Sequence, residues 1–564
     1  LIEQARAPIE REAIEMSQAL TGTPHHLSIH PGGIVISPGP ITDLVPLQHA
    51  TKGLLITQFD LTGIEKLGLI KIDLLGISAL TVVADSSELV RQRDPAFSID
   101  HIPLDDPAAI HTLSSAHTIG CFQIESPGMR FTLRELAAGR IDDLIVALAL
   151  YRPGPLKGGL KDAFVRRHLG QEPTSYLHPA LEPILRETYG VILYQEQVLR
   201  IAHEVAGFTL GEADQLRRAM SKFRSAHEME LLRAQFIAGA WTTSRIAAPI
   251  AEQIWDLMAA FAGYGFPKAH AAGYATVAYR MAYLKAHYPA EFFAARLAVW
   301  GGYYAPRVYM SEARHVGLTV KPPHVNHSSE AFTLDPIDRQ TLWMGLGQVR
   351  ELTHTTIETI LARRPFMSLD DFMIRACPLH VEAVNLIKCA ALDGLGDQAA
   401  MLAAIEHAPW HGRHSPQLSM RLTATEACAS APSLDQRAAW EREILGYNVS
   451  LHPLALLAAQ LDRAGVVPSP QIGECLDRSV ALGGVRIAYH HVQSAGKETM
   501  LLVDMEDQYG LYQVLWGGAA LRAARPLINH RQPVLVRGTV RRDRRSQIVV
   551  VGSSLTALDS SQTV

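Results

Sequence analysis

The apolar period changes along this chain, and that change limits the folds open to it. From about residue 80 to 330 apolar residues recur at helical spacing, broken by proline and glycine. Arg140–Leu150, Tyr194–Val205, Glu212–Lys222 and Ala269–Ala286 read as helices, and Pro289 supplies a stop after the last. From 479 to 557 the pattern turns to short β runs: Val480-Ala-Leu, Met500-Leu-Leu-Val-Asp-Met, Tyr512-Gln-Val-Leu-Trp, Pro533-Val-Leu-Val and Ile548-Val-Val-Val. Five such runs with glycine-rich turns predict a small barrel of the OB type. A chain of 564 residues written this way is multidomain α+β, with three or more domains at ~100–200 residues each.

Bulk properties narrow the class. The net charge is −4, so any nucleic-acid surface is local. Five cysteines, an odd count with no Cys-x-x-Cys, point to a reducing, cytoplasmic setting without a disulfide framework or cysteine zinc site. His25-His26 and His490-His491 are adjacent pairs whose side chains diverge, so no histidine metal site is expected. No apolar run reaches the ~20 residues of a membrane helix, and no signal peptide precedes the fold. The chain opens at Leu1 inside a helical segment and reads as part of something longer.

Residues 68–76, Gly-Leu-Ile-Lys-Ile-Asp-Leu-Leu-Gly, predict a short buried strand. Side chains two apart share a face, so Lys71 and Asp73 project together from an apolar ribbon. Buried charge must be paired or bind metal. A grip on metal and phosphate, or a salt bridge at a strand end, would each satisfy it. His30-Pro31-Gly32-Gly33 is a turn into a β run, and residues 1–20 read as a polar helix. Residues 345–396 predict small helices punctuated by Gly345-Leu346-Gly347 and Gly394-Leu395-Gly396; 405–435 is loop-like and 436–462 a helix and turn.

Several segments then line up. Phe122-Gln-Ile-Glu-Ser126, Tyr151-Arg-Pro-Gly-Pro-Leu156, Tyr194-Gln-Glu-Gln-Val198, Ala213-Asp-Gln-Leu-Arg-Arg-Ala-Met220, Gly265-Phe-Pro-Lys-Ala-His-Ala-Ala-Gly-Tyr274 and Leu284-Lys-Ala-His-Tyr-Pro-Ala-Glu-Phe292 follow in order. As a set, from about residue 20 to the end, they resemble the bacterial C-family DNA polymerases, the family of DNA polymerase III alpha subunits. The resemblance implies the end of a thumb (1–20), the last part of a palm (21–80), helical fingers (81–330), a helix-hairpin-helix and clamp-binding region (331–470) and an OB domain (471–564). It implies DNA-directed nucleotidyl transfer in replication, with primer-template DNA and dNTPs as partners and substrates. It also implies an N-terminal half of the polymerase and a separate proofreading exonuclease.

Asp73 matches the third catalytic, metal-binding aspartate of that family, which uses two Mg²⁺ ions. The other two lie in an Asp-x-Asp that this chain lacks; Asp105-Asp106, Asp142-Asp143 and Asp370-Asp371 are adjacent and diverge. One aspartate does not hold two ions ~3.5–4 Å apart, so the chain alone is expected not to polymerise.

The resemblance places Arg152, in its rigid Arg-Pro-Gly-Pro turn, and Lys71 on the incoming triphosphate, where a guanidinium can fork onto oxygens. An arginine capping a helix end is the plain alternative. Lys268, His270 and Tyr274 would face the nucleotide pocket, although the small residues beside them equally suit tight helix packing. Arg217, Arg218, Lys222 and Arg224 form a basic face for DNA phosphates or a solvated surface. Gln195 and Glu196 would order the fingers by buried hydrogen bonds.

Gly345 and Gly347 would open a hairpin turn whose N–H groups take a DNA phosphate, with Gly394-Leu395-Gly396 a second, weaker copy, although on spacing alone such turns are often merely tight loops. Tyr489, Tyr509, Tyr512 and Trp516, with Arg541, Arg542, Arg544 and Arg545, would hold single-stranded template by stacking and phosphate contact, although some of these aromatics are expected in the core and the alternation around Tyr512 does not decide which. Gln417-Leu-Ser-Met-Arg-Leu422 sits at the sliding-clamp peptide, but Met420 and Arg421 replace its anchors, so clamp binding should be weak. That poor peptide favours the error-prone, lesion-tolerant branch as runner-up. A non-catalytic DNA-binding subunit is a third reading.

Overall fold

The structure is a computed structural model. It describes residues 8–23, 28–51, 53–74, 76–151, 160–221, 226–262, 266–299, 301–407, 431–493, 498–530, 532–542 and 548–558. The chain divides into two compact units, Leu1–Ile77 and Ser78–Val564.

In the first unit a helix, Pro8–Ala19, precedes β1 (Gly33–Ile36), β2 (Leu47–His49), β3 (Leu55–Thr57) and β4 (Ile70–Asp73). β1 and β4 pair antiparallel with Gly33 opposite Asp73 and Val35 opposite Lys71; β2 pairs with β3. Gly32 is required where the ribbon closes: a Cβ there would lie 2.0 Å from the Leu74 carbonyl oxygen. The expected buried strand is not buried. Ile70, Ile72 and Leu74 are 61%, 43% and 60% exposed. A two-stranded ribbon covers neither of its faces, and within this unit only Val45 and Ile64 are buried hydrophobics among the described residues.

The second unit is built around the helix Lys268–His287. Its buried stripe is Ala271, Ala275, Ala278, Ala282 and Lys285, and the small residues let Ile141–Leu150, Pro107–Ser114 and Ser78–Arg91 pack close. The helix stops at His287, and Pro289 opens the next one, Pro289–Ala298. A separate core gathers Phe208, Phe236, Trp255 and Met258 beneath the helices Leu210–Ser221, Ala226–Ser244 and Ala248–Ala262.

A small sheet missed by the sequence reading follows: β5 (Thr319–Lys321), β6 (Thr333–Leu334) and β7 (Thr341–Trp343), in the order β5-β7-β6. Its strands are two or three residues long, too short to show a period. Short helices His354–Arg363, Leu369–Ala376, His380–Lys388 and Gln398–His407 come next, then Leu434–Leu445.

The C-terminal strands are β8 (Ser479–Gln493), β9 (Thr499–Glu506), β10 (Leu511–Trp516), β11 (Pro533–Arg542) and β12 (Ile548–Ala557). Their hydrogen-bonded order, β10-β12-β11-β8-β9, closes into a barrel, with β10 and β12 parallel. A helix, Gly518–Ile528, packs against β12. Gly517-Gly518 and Pro526 are turn-type residues that obscure this helix in the sequence.

Tyr512 and Trp516 point into the barrel core beside Val514, Val536 and Val550, buried to 7% and 1% exposure. The Tyr512 hydroxyl donates to the Gly483 carbonyl, and a Cβ on Gly552 would lie 2.8 Å from the Trp516 ring. Their expected role as stacking platforms for DNA is therefore corrected: they fill the barrel.

Candidate functional site

A cleft of about 630 Å³ opens in the second unit, and three of the sequence motifs meet in it. Phe122, Gln123, Glu125 and Ser126 form one wall, Tyr151 another, and Phe266, His270 and Tyr274 a third. The first wall is a tight loop, with Gly120 and Gln123 at φ +90° and +61°. It ends where Ser126 caps the helix Pro127–Leu136 by accepting from the Met129 N–H. His270 and Tyr274 are four residues apart on the helix Lys268–His287, so their rings share a face, and Phe266 packs against His270 just before the helix starts. Ring centroids are 5.0 Å apart for Phe266–His270, 4.1 Å for His270–Tyr274 and 5.0 Å for Tyr274–Phe122. The His270 and Tyr274 rings, exposed and half-buried beside polar groups, accept a flat ring.

Buried charges fix these walls. Glu125 accepts from the Gly120 N–H (2.9 Å), the Tyr303 N–H (2.7 Å) and the Tyr309 hydroxyl (3.0 Å). Burial pushes the Tyr309 phenol up to about 12. Arg296 donates to the Val299 and Gly301 carbonyls and lies 4.2 Å over the Tyr309 ring. Lys285 donates to the carbonyls of His117 (2.7 Å) and Ile119 (2.9 Å) and to Glu312 (2.6 Å). Burial alone would raise the Glu312 carboxyl; Lys285, His315 and Arg130 instead hold it far below the usual carboxylate range. The sequence reading assigned nothing to Glu125, Arg296, Lys285 or Glu312. Lys285 did carry a signal, since it falls on the apolar stripe of its helix.

The other expected residues are placed as follows. His270 and Tyr274 line the cleft; Lys268 is not among its lining residues. The Lys268 N–H donates to both oxygens of Glu196 (3.0 Å each), and its Nζ donates to Glu187 (2.6 Å). Glu196 thus orders the helix start, as expected. The buried amide on this side, however, is Gln197 and not Gln195: it accepts from the N–H groups of Leu193 and Tyr194 and donates to Thr188. Arg217 and Arg218 both fork onto Asp214, and these two arginines, Arg218 foremost, hold its carboxyl below the usual range. Arg152, Lys222, Arg224, Arg544, Arg545 and the segment 417–422 lie outside the described residues.

Gly345 and Gly347 do not form the expected phosphate nest. They flank Leu346 at a three-residue 3-10 turn, where the Leu346 and Gly347 N–H groups donate to the Ser329 and Glu330 carbonyls. The glycines are needed because a Cβ at Gly345 would lie 2.3 Å from the Glu330 oxygen. Arg541 and Arg542 are exposed at one end of the β11–β12 hairpin, and Arg541 pairs with Asp477.

Lys71 and Asp73 belong to the first unit and project together as expected, with the Lys71 ammonium donating to the Asp73 carboxylate. His30 Nδ1 lies 3.7 Å from the same oxygen. Lys71 first, then His30, holds the Asp73 carboxyl below its usual range, outweighing slight desolvation. One carboxylate beside one imidazole does not make a two-ion site, and no group of three His, Cys, Asp or Glu gathers among the described residues. Asp73 fits one ligand of such a site and not the whole of it.

The family model described as the bacterial DNA polymerase III alpha subunit finger domain matches residues 79–244. The bacterial DNA polymerase III alpha NTPase domain matches 3–76, and a helix-hairpin-helix motif matches 317–401. The chain is 35% identical to DNA polymerase III subunit alpha of Thermus aquaticus, over 97% of this chain and 47% of that protein. It is 31% identical to DNA polymerase III subunit alpha of Bacillus subtilis, over 98% of this chain and 51% of that one. It is 33% identical to the error-prone DNA polymerase of Corynebacterium glutamicum, over 98% of this chain and 52% of that one. The chain spans about half the length of the curated relatives it matches. It belongs to the family of bacterial DNA polymerase III alpha subunits.

Proposed function

We propose that this chain is the fingers, helix-hairpin-helix and OB-type barrel portion, with part of the palm, of a bacterial DNA polymerase that adds dNTPs to a primer 3′-hydroxyl. The cleft carries the reading. Motifs separated by more than a hundred residues line one opening of about 630 Å³, within the ~300–1,000 Å³ range of small-molecule sites. In this role His270 and Tyr274 receive the nascent base pair, and Arg152 is proposed as a contact of the triphosphate. Arg217 and Arg218 then serve DNA by sharing Asp214, so phosphate competes with an existing carboxylate. Tyr489, Arg541 and Arg542 hold template on the barrel, and the sliding clamp is a weak partner. Such an enzyme works on the chromosome, in the bacterial cytoplasm.

Asp73 is proposed as one ligand of the divalent ions, taken as Mg²⁺, that neutralise charge on the transferring phosphoryl group. The carboxylate already sits as an anion beside Lys71, so it is charged for that task at neutral pH. Lys71 is proposed as a second phosphate contact. The error-prone branch is favoured equally by similarity, since relatives so named match at 33–35% identity.

The test is primer extension by this chain together with a polypeptide supplying the Asp-x-Asp part of the palm. The reading predicts synthesis that Asp73→Asn abolishes. Unchanged synthesis by that variant would remove Asp73 from the site.

A further inference from the structure

A second cavity of about 250 Å³ lies where the segment 303–308 meets β8 of the barrel. Arg307, Arg486 and Tyr489 line it, and so does Tyr303, which also lines the first cleft. Tyr303 is therefore the residue the two openings share. It is 55% exposed, yet its backbone is rigidly held. Its N–H donates to the buried Glu125 carboxylate at 2.7 Å, and Gly301 and Gly302 before it take φ +114° and +108°. A Cβ at Gly302 would lie 1.9 Å from the Arg296 guanidinium. Behind the ring, Tyr304 packs edge-on at 4.9 Å. Across the opening, the Arg486 guanidinium lies 5.2 Å over the Tyr489 ring. An exposed aromatic on a fixed backbone, between the rings of the cleft and a guanidinium-lined groove, has the features of a stacking platform for a base.

We infer that Tyr303 stacks on a nucleobase of single-stranded nucleic acid passing from the cleft to the barrel, and that Glu125 is its positioning residue. This rests on reading the cleft as a nucleotide site. A strand is favoured over a free nucleotide because the second cavity, which shares Tyr303 with the first, is lined by Arg486 and by Arg307, the latter also paired with Glu506. Phosphates fit the guanidinium side and bases the aromatic side. Glu125 acts through the Tyr303 N–H and sets where the ring stands; it does not touch the base.

The experiment measures affinity of the full chain for labelled oligothymidylate, for an equal-length strand of abasic sites, and for dTTP. Tyr303→Ala is expected to weaken oligothymidylate roughly tenfold or more, the loss of about one stacked base. It should leave the abasic strand unchanged, while Tyr303→Phe and Tyr303→Trp retain affinity. Glu125→Gln should lower the ratio of oligothymidylate to abasic affinity, which a general structural defect would not do. In the wild type, an oligonucleotide carrying 5-iododeoxyuridine should photocrosslink to Tyr303.

Equal affinity of Tyr303→Ala and wild type for oligothymidylate would overturn this inference alone. So would a loss equal on both strands, or a loss confined to dTTP. Failure of the wild-type chain to bind either strand or dTTP would overturn the cleft reading and this inference with it.

Discussion

Lys285 offers a demanding test of how the cleft is held together. Its ammonium joins three segments: the His117–Ile119 loop before the cleft wall, its own helix, and Glu312 on Pro306–His315. Both partners of the ion pair are buried. Lys285→Met keeps the side-chain bulk but leaves two carbonyls and a carboxylate without their donor. Breaking a buried pair from one side costs about 3–5 kcal/mol. His315, 3.8 Å from Glu312, and the nearby Arg130 remain, so the lower end, about 3 kcal/mol, is expected.

The cost should depend on pH with a definite sign. In the wild type the Glu312 carboxyl is depressed, so its contribution is fully present above the unfolded carboxylate range and lost only as pH falls below that range toward the depressed folded value. In the variant, burial dominates and the carboxyl rises, which favours the folded state at low pH. The difference between the two proteins should therefore shrink from pH 7.5 toward pH 4.5. Urea unfolding across that range reads it, and adding Glu312→Gln should recover about 2 kcal/mol at pH 7.5 by removing the orphaned charge. A cost below about 1 kcal/mol, or one that does not change with pH, would refute the reasoning.

Burial, which outweighs the attraction of Arg307, pushes Glu506 on β9 up to about 7. A carboxyl raised in the folded state contributes stability below its unfolded pKa and loses it as pH rises through 7. Glu506→Gln should flatten that loss, worth up to about 3 kcal/mol between pH 5 and 8; parallel melting curves would contradict it. Trp516→Ala should destabilise the barrel by about 3–5 kcal/mol in a urea titration. Tyr489→Ala, at an exposed ring, should leave stability within about 0.5 kcal/mol and lower single-strand affinity. The opposite pattern would restore Trp516 to the DNA-binding set.

What the sequence showed followed from local geometry. Lys71 and Asp73 share a face because the strand period is two, whatever surrounds the strand. His270 and Tyr274 share a face through helical spacing, and both line the cleft. Burial was less legible. Residues 70–73 are apolar, but a ribbon of two strands within its own unit leaves them exposed. Tyr512, Val514 and Trp516 alternate cleanly, yet alternation does not say which face turns inward; barrel closure decides that.

Long-range partners were not legible at all. Glu125 meets Tyr303 and Tyr309 after more than 170 residues, and Lys268 meets Glu187 and Glu196 after more than 70. Gly345 looked like a phosphate nest because nothing nearby in sequence shows that the chain at Ser329 and Glu330 takes its N–H groups.

The central claim is that the cleft beneath His270 and Tyr274 holds the incoming nucleotide. Photolabelling the chain with 8-azido-dATP in the presence of primer-template, followed by mapping of the labelled peptides, tests it most directly. The account predicts label within residues 122–126, 151 and 266–274, displaced by unlabelled dATP. Displaceable label confined to the barrel or to the 317–401 region, with none in the cleft, would contradict it.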